Sequence, residues 1–530
     1  MKNQSIQKRI IPQTWLRFLI IILLALGLFF RFTNFDRKVY GADEVYTSMQ
    51  ISGHTLAEMN QQLRNGRVIS SKDLQKYQYP TRETSAIDTI KSLVLEDSQN
   101  TPLYYLIARL WVQLFGNSVA VTRSLSAFIS LLAFPCLYWL CQELFESSLI
   151  GWIAIALIAV SPVHVLYAQE ARSYGLWIVT ILLSSATLLQ AMRLKTRVSW
   201  GIYAATVALG LYTHLFFGLV AIGHGIYVAV IERFRFSRTL TSYLLASFAG
   251  LLAFVPWLLV IVINPPKSQT VSWMDTKSPP LSSMIRWAGI ISRTFIDLGV
   301  SPSYSLKTNS LMILLITTIL ILLILIIYSI YFLCRRTPKR VWLFVLTLIG
   351  VTGLALILPD LIMEQRRGTT RYVLPCILGI QLSVTYLLTT QIISISANSR
   401  RQQLWQLVTI ILVSLGVLSC AVSSQAEIWW NKAPDRNEYN YKIAYIVNQA
   451  TQPLLISDDD LITVQSLGHM LAPKVKLQLV AQPNIPAITY GFTDMFLFKP
   501  SELLRSGLER VYSLKIKPIY GPLWKIEKRE

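Results

Sequence analysis

The chain has 530 residues, 53% of them hydrophobic and 15% charged, against a usual charged share of about 25%. With a mean hydropathy of +0.47, this composition excludes a disordered chain and an ordinary cytosolic enzyme. Lys and Arg number 49 against 28 Asp and Glu, a net charge of +21, but the basic residues gather at the ends of apolar blocks. Lipid headgroups and topology account for them there, and no Gly-rich phosphate loop or aromatic–basic motif speaks for nucleic acid.

In chain order, the apolar blocks predict spans at Trp15 to Phe30, Val119 to Leu140, Leu149 to Tyr167, Ser173 to Met192, Trp200 to Tyr212 and Leu215 to Ile231. Further spans are predicted at Ser242 to Ile263, Leu311 to Leu333, Val341 to Leu358, Tyr372 to Ile393 and Leu404 to Val422. A crossing takes about 20 mainly apolar residues, so the expectation is an all-α polytopic membrane protein with about 11 transmembrane helices. The first block follows Lys2, Lys8 and Arg9 without a small-residue cleavage site and reads as an uncleaved anchor. With the amino terminus inside, the short inside loops carry Arg193, Lys195, Arg197, then Arg233, Arg235, Arg238, then Arg335, Arg336, Lys339, Arg340, and finally Arg400 and Arg401. That pattern satisfies the positive-inside rule. It places the loops 31–117 and 264–309 and the carboxy-terminal region outside, with Leu103 to Phe115 as an amphipathic helix in the outer interface.

From about residue 425 the pattern changes. Tyr441 to Ala450, Leu461 to Leu471 and Glu502 to Leu508 read as helices, and Pro453 to Ser457, Val475 to Val480 and Phe496 to Phe498 as strands. The expectation is a multispan domain over 1–424 and a small extracytoplasmic α/β domain over 425–530, to which no chemistry is assigned. Cys136, Cys141, Cys334, Cys376 and Cys420 lie in apolar blocks without disulfide or zinc spacing and read as small buried hydrophobes.

Ionisable residues near membrane spans are costly without a role or a partner. Asp43 and Glu44 follow the first span by about ten residues; they are either solvated loop acids with a capping role or site carboxylates. Gln169, Glu170, Arg172, Tyr167 and Tyr174 crowd one outside turn, readable as an internal Glu170–Arg172 pair or as a site. His214 lies in another outside turn, readable as an interfacial hydrogen-bonding residue or as a site residue. Arg366, Arg367 and Arg371 precede the span at Tyr372 and are either flanking charges or, since basic residues are scarce on that side, groups that call for an anionic partner.

The order of these pieces resembles the polyprenyl-phosphate-dependent, C-type glycosyltransferases, in particular the protein O-mannosyltransferases and the lipid A aminoarabinose transferase. The matching stretches are Ala42-Asp43-Glu44, Thr101-Pro102-Leu103-Tyr104-Tyr105-Leu106, Leu114-Phe115-Gly116, Ser161-Pro162, Gln169 to Tyr174, Tyr212-Thr213-His214 and Arg371-Tyr372-Val373-Leu374-Pro375. They cover roughly Thr14 to Ile393 in consistent order; each is weak alone, and the ordered set is strong. Two departures stand out. Asn100 occupies the place where relatives carry a His or Lys ahead of Pro-Pro-Leu; if that residue touches the donor phosphate, an arginine must supply its charge here. The stretch 61–97 looks like an insertion in the first loop.

The resemblance implies a GT-C fold and an active site at the outer membrane face, in a bacterial inner membrane with the site on the periplasmic side. It also implies transfer of a sugar from a polyprenyl-phosphate donor to a hydroxyl of a lipid, glycan or protein acceptor. For that chemistry the residues suggest Asp43 as general base with inversion at the sugar carbon, and Glu44 orienting Asp43 or the acceptor. Glu170, Arg172 and Tyr174 would hold the site, Arg371 and Tyr372 would bind the lipid phosphate, and His214 would contact sugar or acceptor. A monophosphate leaving group requires no cofactor, and a divalent cation is left open. Two rivals stand beside this reading. A flippase of lipid-linked sugars should show internal repeats and charged, broken spans near the midplane, and a non-catalytic envelope scaffold should tolerate replacement of Asp43 and Glu170.

Overall fold

The computed structural model describes residues 14–267, 276–297, 299, 309–393, 399–488 and 491–528. Lys2, Lys8 and Arg9 lie outside the described residues, as does part of the expected 264–309 loop. Among the described residues, eight helical stretches are long and apolar enough to cross a membrane: Trp15–Phe32, Val119–Phe145, Tyr174–Leu194, Arg238–Ile263, Ile313–Arg336, Lys339–Ile362, Leu374–Ile393 and Arg400–Lys432. The last is made of the helix Ser399–Gln425 and a short irregular segment that ends in the turn Trp430–Lys432. A bent pair, Ser148–Ala159 and Pro162–Ala168, meets at 65° and counts as a ninth if taken as one span. The chain is a multi-pass membrane protein. The expected spans over Trp200 to Tyr212 and Leu215 to Ile231 form the helices Arg197–Thr213 and Phe217–Ile231, of 17 and 15 residues. The first is at the lower end of the length that spans a bilayer and the second is shorter, so among the described residues about eleven spans are not confirmed.

The bend in the ninth span has a chemical cause. Pro162 opens the second helix without an N–H to give, and the carbonyls at the end of the first helix lose their partners. The buried Arg31 guanidinium takes them up, donating to Ala159 O at 2.6 Å, Ile158 O at 3.2 Å and its own helix's Gly27 O at 2.8 Å. Gly27 is required for this approach, since a Cβ there would lie 2.5 Å from Ala159 O. Beyond the break, Ser161 Oγ donates to Thr294 O (2.7 Å) and accepts from Gln381 Nε2 (3.1 Å), whose Oε1 meets His164 Nε2 at 2.9 Å. A broken helix at membrane depth persists where protein groups satisfy its backbone in this way.

The chain divides into two compact units: Met1–Thr33, Ser98–Tyr104 and Arg123–Ser424 form one, and Asn34–Asp97, Tyr105–Thr122 and Gln425–Glu530 the other. In the first, the helix Arg197–Thr213 packs between Tyr174–Leu194 and Arg238–Ile263.

The second unit holds a six-stranded sheet built from β1 (Asn65–Ser70), β2 (Pro453–Ser457), β3 (Lys476–Val480), β4 (Asp494–Phe498), β5 (Leu514–Tyr520) and β6 (Leu523–Lys528), in the order β1-β3-β2-β4-β6-β5. The expected strands β2, β3 and β4 form its parallel centre, with the expected helices at Asn440–Gln449, Leu461–Gly468 and Glu502–Tyr512. Their side chains alternate between two buried faces, as a covered parallel sheet demands. Leu455, Leu477, Leu479, Phe496 and Phe498 pack on Met49, Met59 and Leu63 of the first loop together with Ile443, Val464 and Leu467. On the other face Leu454, Ile456, Val480 and Leu497 pack on Leu504 and Leu508 with Ile516 and Ile526. Three strands were not expected. The hairpin β5–β6 adds antiparallel to β4, and β1, from the apparent insertion, pairs antiparallel with β3, Val68 opposite Gln478 and Ser70 opposite Lys476.

Candidate functional site

Within the first unit, residues from the separate sequence stretches converge. The turn after the bent span is anchored by Gln169, whose Nε2 donates to Phe30 O at 2.7 Å and Thr33 O at 2.6 Å. Arg172 N–H then closes on Glu170 O at 2.7 Å. Ser126 Oγ donates to Arg172 O at 3.3 Å and lies 2.8 Å from the hydroxyl of Tyr104, the residue from the Thr101-Pro102-Leu103-Tyr104 stretch.

Aromatic rings and guanidinium groups gather beside this turn. Arg371 Nη1 donates to Tyr174 Oη at 3.3 Å, and its guanidinium lies 5.2 Å from the Tyr372 ring centroid. The Arg172 guanidinium is 5.8 Å from the Tyr174 ring, which meets Tyr167 edge-on at 4.9 Å. Arg293, which no motif marked, joins this group. Burial lowers its pKa, and the Asp297 carboxylate, 4.0 Å from its Nε, opposes that shift. Three arginines thus bear on one tyrosine pair, an arrangement suited to an oxyanion.

His214 stacks on Trp177 (4.0 Å, 8° between planes) and lies 5.9 Å from Tyr372 and 6.5 Å from Tyr174. Its Nδ1 accepts the Phe216 N–H at 3.2 Å, which leaves that nitrogen no proton to carry. Burial, reinforced by Arg172 and Arg371, pushes its pKa down to about 3. His214 is therefore neutral throughout the physiological range and acts by contact, not by proton transfer. Between pH 6.5 and about 3 the unfolded chain takes up a proton at this residue and the native chain does not, so native stability falls as pH drops through that window. Replacing His214 with Gln should leave the shape of the pH–rate profile unchanged and flatten the fall of the thermal midpoint below pH 6.5. An inflection near pH 6.5 that disappears in the variant would show that the ring titrates during turnover.

The loop carrying Arg371 is set by a carboxylate missed in the sequence. Asp360, fully buried at the end of the span Lys339–Ile362, accepts from Arg286 Nη2 and Trp287 Nε1, each at 2.9 Å. It also accepts the backbone N–H groups of Arg367 at 2.6 Å and Gly368 at 3.0 Å. A Cβ at position 368 would stand 2.7 Å from both the carboxylate and the Trp287 ring, so only glycine lets the loop close on them. The side chains of Arg366 and Arg367 are exposed, and of the three arginines noted in the sequence Arg371 is the one that enters the aromatic group. An acid at the end of an apolar span was the signal that could have marked Asp360.

In the second unit, Asp43 and Glu44 occupy the first turn of the helix Ala42–Ser52, where the helix dipole favours anions. The two differ sharply. Glu44 is fully buried, its Oε2 accepting the Gly41 N–H at 3.2 Å and the Lys432 ammonium at 2.8 Å. Asp43 keeps part of its surface accessible, and its backbone carbonyl accepts from Thr47 Oγ1 at 3.1 Å. The Tyr46 phenol on the same helix is pushed up to about 12, first by burial and then by Asp460 and Asp97, with Asp43 adding and Arg436 opposing. Among the described residues no three His, Cys, Asp or Glu side chains stand together in a group that could hold a metal ion.

Residues 99–260 match the family model for dolichyl-phosphate-mannose-protein mannosyltransferase. Among solved structures, the chain is similar to ArnT from Cupriavidus metallidurans in its apo state and bound to undecaprenyl phosphate, at 12% identity over 97% of both chains, with TM-scores of 0.53 and 0.52. No curated protein matches the sequence.

Proposed function

We propose that this chain, which has the fold of the C-type glycosyltransferases, moves a sugar from a polyprenyl-phosphate donor to an acceptor hydroxyl outside a bacterial inner membrane. The observation that carries the reading is the convergence of Arg172, Arg371, Tyr174, Tyr372 and His214, drawn from separate stretches, into one cationic and aromatic group. The similar ArnT structure was solved with undecaprenyl phosphate, a ligand of matching chemistry.

In the proposed step, Asp43 takes the proton of the acceptor hydroxyl as the oxygen attacks the anomeric carbon. The carbon–oxygen bond to the phosphate breaks, and the lipid phosphate leaves with the electron pair, inverting the sugar carbon. Arg371 and Arg172 neutralise the charge that grows on the departing phosphate through charge-assisted hydrogen bonds. Tyr174 and Tyr372 hold the guanidinium planes, and His214 offers a neutral ring to sugar or acceptor. Glu170 fixes the turn bearing Arg172. Lipids, glycans and proteins outside the membrane are the candidate acceptors.

The test uses the full chain in nanodiscs with a panel of polyprenyl-monophosphate sugars and a crude envelope extract, following release of labelled sugar from the lipid. Transfer to an extract component supports the reading and identifies the acceptor. Lipid binding or movement between leaflets without release of sugar would overturn it in favour of transport.

A further inference from the structure

We infer that Lys432 and Glu44 form a positioning pair that sets Asp43, which makes the segment after the helix Ser399–Gln425 a working part of the catalytic unit. The inference rests on the proposed reaction and goes beyond it by giving Glu44 a role through the backbone and Lys432 a role it otherwise lacks.

Lys432 is 2% exposed and Glu44 not at all, with 2.8 Å between ammonium and carboxylate. A buried ion pair adds little stability over apolar residues of the same shape, so its distinctive yield is geometry. Here the geometry falls on one turn. Gly41 is the N-cap of the helix Ala42–Ser52 and has no side chain to close its first N–H groups. The same Glu44 oxygen that meets Lys432 reaches back to the Gly41 N–H, so the pair locks residues 41 to 44, and Asp43 lies inside that lock.

The chain entering the turn is held by the same carboxy-terminal segment. Val39 N–H donates to Glu427 O at 2.9 Å, Arg37 Nε to Gln425 O at 3.2 Å, and the Tyr441 hydroxyl to Arg37 O. Ser466 Oγ donates to Tyr40 O at 2.6 Å, while Tyr40 and Val45 pack on Ile462. Lys432 is itself fixed, since Asn437 Nδ2 donates to its carbonyl at 2.8 Å and its own N–H donates to Trp429 O at 2.9 Å. These ties on the stretch leading to Asp43 all come from residues 425–466. Full burial keeps Glu44 from touching an acceptor, and its effect on Asp43 passes through the helix turn.

The experiment compares wild type with Lys432→Met, Lys432→Arg and the double variant Lys432→Met/Glu44→Gln, measuring transfer kinetics and amide hydrogen exchange. Lys432→Met is expected to lower kcat by roughly 10- to 100-fold with donor KM little changed, as a displaced base would. Exchange at residues 42–47 should rise while β2, β3 and β4 stay protected. Lys432→Arg should recover most of kcat, and the double variant should recover the thermal midpoint but not kcat. Wild-type kcat in Lys432→Met, or unchanged exchange at 42–47, would overturn the inference. So would exchange rising equally across the sheet, which marks a purely structural pair. If the wild type transfers no sugar, the proposed function fails, and the exchange comparison still decides whether the pair sets this turn.

Discussion

Replacing Asp43 with Asn should lower turnover by about 10²- to 10⁴-fold, the usual worth of a general base, while the protein folds and binds donor as before. Asn keeps the shape of the side chain and cannot take the proton. The helix should survive the change. Asp43 is part-exposed, its backbone carbonyl still receives the Thr47 hydroxyl, and losing one anion from a first turn costs about 0.3–1 kcal/mol. Glu44→Gln is the instructive contrast. It strips the buried Lys432 ammonium of its counter-charge, a change that typically costs about 3–5 kcal/mol. The neighbouring acids should therefore separate in a paired measurement of kcat and thermal midpoint: Asp43→Asn folded and inactive, Glu44→Gln markedly less stable. An Asp43→Asn protein that turns over normally would remove Asp43 from the mechanism.

The range of each interaction decides how far the sequence reveals it. Arg172, Tyr174, His214, Arg371 and Tyr372 stand out because polar and aromatic side chains at span ends contrast with their apolar surroundings, and these are the residues found together in the first unit. Their supports were silent. Asp360 finds Arg286 across 74 residues and Glu44 finds Lys432 across 388, and no local pattern marks either pairing. The block Leu149 to Tyr167 read as one span because hydropathy averages over Pro162, and the group that stabilises the break, Arg31, comes from 128 residues away. The parallel centre of the sheet was legible from its apolar runs. The edge was harder: β5 alternates buried Leu514 and Ile516 with exposed Lys515 and Lys517 and then meets Pro518, which reads as a loop. In β1, Asn65-Gly66 opens a six-residue strand whose partner lies beyond the last span. The apparent insertion in the first loop thus supplies an edge of the same sheet.

Loss of the Arg371 guanidinium should be the second large effect. Arg371→Gln is expected to cut kcat/KM for the donor by about 10²- to 10³-fold, the usual consequence of removing a donor to developing oxyanion charge. Arg371→Lys should recover little of it. The arginine donates to Tyr174 Oη while its guanidinium carbon lies 5.2 Å from the Tyr372 ring centroid, and a point-like ammonium cannot serve both rings and present a planar fork to a phosphate. Tyr174→Phe removes one hydrogen bond and keeps the ring, so its loss should stay near the roughly 0.5–1.5 kcal/mol of a single such bond. Asp360→Asn acts at one remove: Arg286 loses its carboxylate, and the N–H groups of Arg367 and Gly368 keep a weaker acceptor, so the Arg371 loop loosens without losing its charge. Its cost should fall between those of Tyr174→Phe and Arg371→Gln. Arg366→Ala, an exposed neighbour, should match wild type. The decisive measurement is inhibition by polyprenyl phosphate itself across this series. If Arg371 holds the departing phosphate, inhibition weakens in step with kcat/KM. An Arg371→Gln protein that loses turnover but binds polyprenyl phosphate as tightly as wild type would assign the phosphate to other groups and leave Arg371 a part in shaping the aromatic wall.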